Sequence, residues 1–129
     1  MSNLTLALAQ IKTKLSDVQA NLDKHLAYID QATSQGAQLV CFPELSLTGY
    51  VLQDLTSTVA HKATPDDPIF KPLLEASHKT DLMIGFVDED ERHRFFIAAA
   101  YLSKGETVHV HHKVYLPTYG MFDEGRFFA

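Results

Sequence analysis

The sequence predicts an α/β protein with a mixed sheet, and three observations carry that expectation. Apolar runs of strand length recur along the chain. Two of the intervals between them show helical spacing, while the last strands are joined by short polar turns. An apolar content of 46% over 129 residues suits a packed core. A domain of this size should bury roughly two-thirds of the surface its unfolded chain exposes.

Positions 4–10 alternate apolar and small residues and predict a first strand. Ser16-Asp17-Val18-Gln19 has the form of a capping box, with a hydroxyl at the N-cap and a glutamine three residues on. The helix it opens carries Leu22, Leu26, Ile29 and Ala32 at helical spacing, and Gly36 stands where a C-terminal cap belongs. Leu39-Val40-Cys41-Phe42 is a continuous apolar run, as in a parallel strand buried on both faces, and Pro43 stops it. Positions 44–63 read as loop and short helix.

Pro65-Asp66-Asp67-Pro68 predicts a second helix start, with Ile69, Phe70, Leu73, Leu74 and Ser77 as its buried stripe. A strand over 82–87, a charged turn over 88–94 and a strand over 95–102 follow. Lys104-Gly105-Glu106 makes a tight turn into a last strand over 107–115. Residues 116–129 leave no room for another element, and their apolar end has no evident partner. The chain is therefore expected to be part of a larger domain.

Composition narrows the functions. A net charge of -5, with lysines and arginines scattered, argues against a nucleic-acid surface. No stretch approaches the about 20 apolar residues of a membrane span, and the N-terminus lacks a signal-peptide pattern. A single cysteine is compatible with a reducing compartment, so a cytoplasmic location is expected.

Two segments could carry chemistry. Glu44 follows a strand-stopping proline, at the carboxyl end of a strand where open α/β sheets place their ligands. It reads either as a proton-shuttling base or as a structural carboxylate that caps a helix or pairs with a lysine. Lys113 stands near a strand end before Pro117, where an ammonium could meet a developing oxyanion or simply lie in solvent. Glu124 alone reads as a loop carboxylate, and Tyr50 and Tyr119 read as pocket-lining residues. Cys41, inside an apolar run, reads as a small core residue rather than a nucleophile. His109 and His111 share a strand face with Lys113, at a spacing that can hold zinc but reads more simply as polar residues on a half-exposed strand.

Taken together, Phe42-Pro43-Glu44-Leu45-Ser46-Leu47-Thr48-Gly49-Tyr50 and the segment from Lys113 through Leu116-Pro117 to Phe122-Asp123-Glu124 resemble the nitrilase superfamily of carbon–nitrogen hydrolases. The resemblance runs over essentially the whole chain, and two long motifs in the right order are specific. It implies half of a four-layer α-β-β-α sandwich with mixed sheets, and a small-molecule amide or nitrile as substrate. It also implies catalysis by Glu44 as base, Lys113 as oxyanion stabiliser and Glu124 as orienting carboxylate, with Tyr119 near the substrate and no metal or organic cofactor.

The family's nucleophilic cysteine belongs to a third motif beyond the Phe-Asp-Glu segment. Residues 1–129 are thus expected to be the N-terminal portion of such a domain, inactive by itself. Uncovered apolar strands lead to an expectation of self-association as a homo-oligomer. The same motifs occur in the glutaminase domains of glutamine-dependent NAD synthetases, so that parent stays open, as does a non-catalytic interaction module.

Overall fold

The structure, a computed structural model, describes residues 2–129. Five strands form one mixed sheet in chain order: β1 (Leu6–Leu8), β2 (Leu39–Cys41), β3 (Asp81–Glu89), β4 (Phe95–Ser103) and β5 (Glu106–His112). β1, β2 and β3 run parallel, and β4 and β5 complete an antiparallel meander. Helices α1 (Val18–Ser34) and α2 (Phe70–Ala76) occupy the long crossovers, and a 3-10 helix spans Gln53–Thr58.

The predicted helix stripes are what the helices bury. Leu22 and Ile29 of α1, and Phe70, Leu73 and Leu74 of α2, share one core with Val40, Leu82, Ile84, Phe86, Ala98, Ala100 and Leu102 of the sheet. Burial of these side chains supplies the main driving force, at about 25 cal/mol per Å² of apolar surface removed from water. Alternation along the strands sends the other residues to the opposite sheet face. That face is open around Leu8 and Met83, 75% and 36% exposed, while Val87 and Ile97 at its other end are buried in a second cluster. The expectation that β2 is buried on both faces is therefore corrected, because Val40 is buried while Cys41, next along, is only half-buried. Burial still pushes the Cys41 thiol above its ordinary value.

The start of α1 differs by one residue from the expected capping box. Asp17, not Ser16, is the N-cap, and its carboxylate accepts from the Ala20 N–H at 3.1 Å. The Ser16 N–H, which the return bond of the box would need, is committed to the Thr48 carbonyl at 2.7 Å, and Ser16 itself is turned to φ +60°. At the other end, Gly36 takes φ +84°. The Gly36 and Ala37 N–H groups then close on the Thr33 and Ala32 carbonyls, a Schellman ending that a left-handed glycine makes easy.

The C-terminal segment departs from expectation. Residues 116–129 contain a short helix, α3 (Glu124–Phe127), and their apolar end has a partner after all. Phe128 and Leu116 pack on a second cluster of Leu45, Leu52, Val59, Val87 and Ile97, and the Ala129 N–H donates to the Phe95 carbonyl at 2.8 Å. A strand-edge carbonyl supplied that partner, and local sequence does not announce it.

Candidate active site

Glu44 rides on a tight elbow at the end of β2. The turn is closed by the Ser46 N–H on the Pro43 carbonyl at 3.1 Å and the Gly49 N–H on the Leu45 carbonyl at 2.8 Å. Leu45 is held at φ +51°, a left-handed conformation that a branched side chain rarely adopts. The elbow lies flat on β3, with the Leu47 N–H donating to the Gly85 carbonyl at 3.0 Å. The fit leaves no room for a side chain at 85: a Cβ there would stand 2.4 Å from the Pro43 oxygen and 2.6 Å from the Leu45 nitrogen. Glycine is required by this close approach.

Lys113 follows directly on β5 and keeps one more rung, its N–H donating to the Ile97 carbonyl at 2.8 Å. Its Nζ reaches Glu44 Oε1 at 2.8 Å and Glu124 Oε1 at 3.1 Å, so residues 69 and 11 positions apart in sequence meet. Tyr50 donates its hydroxyl to the same Glu124 oxygen at 2.7 Å. Glu124 side-chain exposure is 4%, against 41% for Glu44, so the cluster has an inner and an outer carboxylate. Among the described residues, Glu124 Oε2 is buried without a hydrogen-bond partner.

Burial alone would depress the Lys113 ammonium, but its bonds to Glu44 and Glu124 outweigh that and hold its pKa above the ordinary lysine value. The cation is secure at neutral pH. The Tyr50 phenol is pushed well above its usual range by burial, then by Glu124 and Glu44, and stays a donor. Glu44 and Lys113 rim a cleft of about 620 Å³ on the uncovered sheet face, walled by Phe42, Met83, Ala99 and His111. A half-exposed carboxylate there can exchange a proton with a group entering the cleft, and the ammonium can oppose negative charge developing beside it.

The sequence-predicted residues thus divide. Glu44, Lys113, Glu124 and Tyr50 converge, whereas Tyr119 stands apart, 73% exposed and edge-on to Phe122. His109 and His111 do share the open face, with ring centroids 6.4 Å apart. Their hairpin neighbours are engaged elsewhere, His93 with Glu89 and Asp88 with His112. Among the described residues, no three His, Cys, Asp or Glu side chains gather in a way that could hold a metal.

Sequence reasoning passed over Asn21, His25 and Ser46, all fully buried beneath the elbow. The available signal was two polar residues one turn apart beside the apolar stripe of α1. Burial holds His25 near a pKa of about 4, below the ordinary 6.5, despite its bond to the Asn21 carbonyl. Between those values the unfolded chain binds a proton that the folded chain refuses, so stability falls as pH drops through the window. The expected loss is on the order of 3 kcal/mol. Urea unfolding of wild type and His25→Phe from pH 7 to pH 4 measures it: a wild-type slope no steeper than the variant's refutes the assignment.

The mixed α/β sheet with helices in its crossovers is the fold of the nitrilase-superfamily proteins it resembles. The chain belongs to the carbon-nitrogen hydrolase family, whose model matches residues 5–128. It is 36% identical to the glutamine-dependent NAD(+) synthetase of Thermotoga maritima, a match over 99% of this chain and 22% of that protein. The solved structure of glutamine-dependent NAD+ synthetase from Acinetobacter baumannii, in complex with ADP, superposes with a TM-score of 0.83 at 30% identity, over 100% of this chain and 24% of that one. An amidase from Nesterenkonia sp. superposes at 0.81 with 26% identity, over 98% and 47%. The chain spans about a quarter of the synthetases and about half of the amidase.

Proposed function

We propose that this chain is the base-and-lysine portion of a glutaminase domain of the glutamine-dependent NAD synthetase type, acting on a carboxamide. The observation that carries this reading is the clasp of Lys113 on both Glu44 and Glu124 at the cleft. The synthetase relatives favour glutamine over a simple aliphatic amide, since they match nearly the full chain at up to 36% identity.

Glu44 takes the proton of a cysteine thiol supplied by the rest of the domain as its sulfur attacks the carboxamide carbon. Lys113, held cationic, opposes the oxyanion, and Glu44 returns the proton to the leaving ammonia. Water then cleaves the thioester with the same carboxylate as base, so one hard step is split into two. Solved forms of the Nesterenkonia amidase include a glutamate-to-leucine variant with an acetamide moiety added covalently at the active-site cysteine, which supports a cysteine as the partner of such a site. Cys41 is not that nucleophile in this reading, because it lies on β2 itself, three positions before Glu44, and does not line the cleft. Glu124, bonded to the Lys113 ammonium and the Tyr50 hydroxyl, acts in this reading as the carboxylate that orients the lysine. The uncovered sheet face around Leu8 and Met83 is where the second sheet of a four-layer sandwich would pack, and where the isolated chain would self-associate.

The test is a graft. This chain replaces the matching segment of the Thermotoga maritima synthetase, and ammonia release from glutamine is measured beside the chain alone. The expected result is glutamine hydrolysis by the graft and none by the isolated chain. A folded graft that cleaves aliphatic amides but not glutamine moves the assignment to the amidases, and turnover by the isolated chain overturns the division of labour.

A further inference from the structure

Beneath the elbow lies a polar assembly that the proposed chemistry does not use. Asn21 and His25 stand one turn apart on the buried side of α1. The Asn21 amide donates to the Leu47 carbonyl at 2.9 Å and to the Lys14 carbonyl at 2.8 Å. The His25 ring lies against Phe42, the residue two before Glu44, with centroids 4.2 Å apart. Its Nδ1 is 2.6 Å from the Asn21 carbonyl and its Nε2 is 2.9 Å from Ser46 Oγ.

A carbonyl oxygen only accepts, so Nδ1 carries the ring proton and Nε2 is bare. The Ser46 hydroxyl then donates to Nε2 at 2.9 Å rather than to the Gly85 carbonyl at 3.3 Å, which already accepts from the Leu47 N–H, and its oxygen accepts from the Gly85 N–H at 3.2 Å. With Nδ1 protonated, the shorter contacts set one direction for the chain. It runs from β3 through the elbow into α1 and ends on a helix carbonyl. Burial disfavours the imidazolium that would break the pattern, in line with the low pKa of His25.

We infer that His25 and Ser46 are positioning residues for Glu44: their hydrogen-bond chain fixes the elbow on β3 so that the Glu44 carboxylate meets Lys113. This rests on the reading of Glu44 as the base. Glu44 is 41% exposed, and among the described residues Lys113 is its one side-chain partner, so its place is set by the backbone that bears it. That backbone includes Leu45 in a conformation it would not hold unaided. The two sides of the elbow are tied separately, Ser46 by His25 and the Leu47 carbonyl by Asn21.

The test has two parts, both on the 129-residue chain. Ring 15N spectra of the wild type at neutral pH read the His25 tautomer: a proton on Nδ1 and a bare Nε2 are expected, and a protonated Nε2 overturns the proposal. The Lys113 side chain is then titrated by 13Cε NMR in wild type, Ser46→Ala, His25→Phe and, as a core control on the same helix, Ile29→Val. His25→Phe keeps the ring stack on Phe42 and removes both nitrogens, so it decides the matter should Ser46→Ala not fold. The Lys113 midpoint is expected to fall toward that of an unpaired lysine in the two network variants and to stay in Ile29→Val. An unchanged midpoint in folded Ser46→Ala or His25→Phe, or an equal fall in the control, refutes the positioning role. Failure of the base reading would show instead in the graft, as glutamine hydrolysis that survives loss of the Glu44 carboxylate.

Discussion

Replacing Glu44 by glutamine in the grafted synthetase is expected to lower glutamine hydrolysis by about 10²–10⁴-fold, the usual worth of a positioned general base. Glutamine keeps the size of the side chain and one acceptor for Lys113, so the fold should be retained. What disappears is the ability to take a thiol proton and return it to ammonia. The loss should fall on kcat rather than KM, because the carboxylate acts on the proton in flight. Rates across pH for both proteins, with circular dichroism to confirm folding, check it. A variant within about threefold of wild type would remove Glu44 from the chemistry and leave it as the structural partner of Lys113.

Gly85→Ala is expected to be the most destabilising single methyl in the chain, by about 3 kcal/mol or more. The added Cβ would stand 2.4 Å from the Pro43 oxygen and 2.6 Å from the Leu45 nitrogen, and both are backbone atoms that no rotamer change can move. Either the elbow lifts off β3, breaking the Leu47–Gly85 and Gly85–Ser46 bonds, or β3 bows. Urea unfolding measures the cost. A loss below about 1 kcal/mol would mean that the elbow packs more loosely than these distances show.

Much of this arrangement was legible in the sequence because it is local. The apolar stripe of α1, the stripe of α2 and the strand-stopping Pro43 depend on neighbours within a few positions. Glu44 and Lys113 could be joined only through the resemblance of their two motifs, since nothing local links residues 69 apart. The rest turns on tertiary bonds. Asp17 rather than Ser16 caps the helix where the chain turns Ser16 to φ +60° and ties its N–H to the Thr48 carbonyl, and the tail found the Phe95 carbonyl at a strand edge. Cys41 looked fully buried because an apolar run does not reveal that one sheet face is left uncovered. Asn21, His25 and Ser46 were passed over for a similar reason: a buried polar residue has meaning only once its acceptor is in place.

The strand order of the sheet, identical to the order of the chain, has a consequence for how the molecule acquires its shape. β3, β4 and β5 are joined by short reversals, from Glu89 to Phe95 and from Ser103 to Glu106, whereas the β1–β2 pairing must wait for Leu8 to find its partner across the whole of α1. Closing the longer loop costs about 2 kcal/mol more in chain entropy before any hydrogen bond offsets it. The meander can therefore zip first and present β3 as a template on which β2, with the elbow, docks across the still longer crossover from Cys41 to Asp81. The C-terminal meander would thus form before the N-terminal half joins it, and the Glu44 elbow, wedged between β2 and Gly85, would be among the last parts to set. Pulse-labelled amide exchange during refolding would reveal this as early protection at Ile84 and Ala100 and late protection at Leu47, and the reverse order would exclude it.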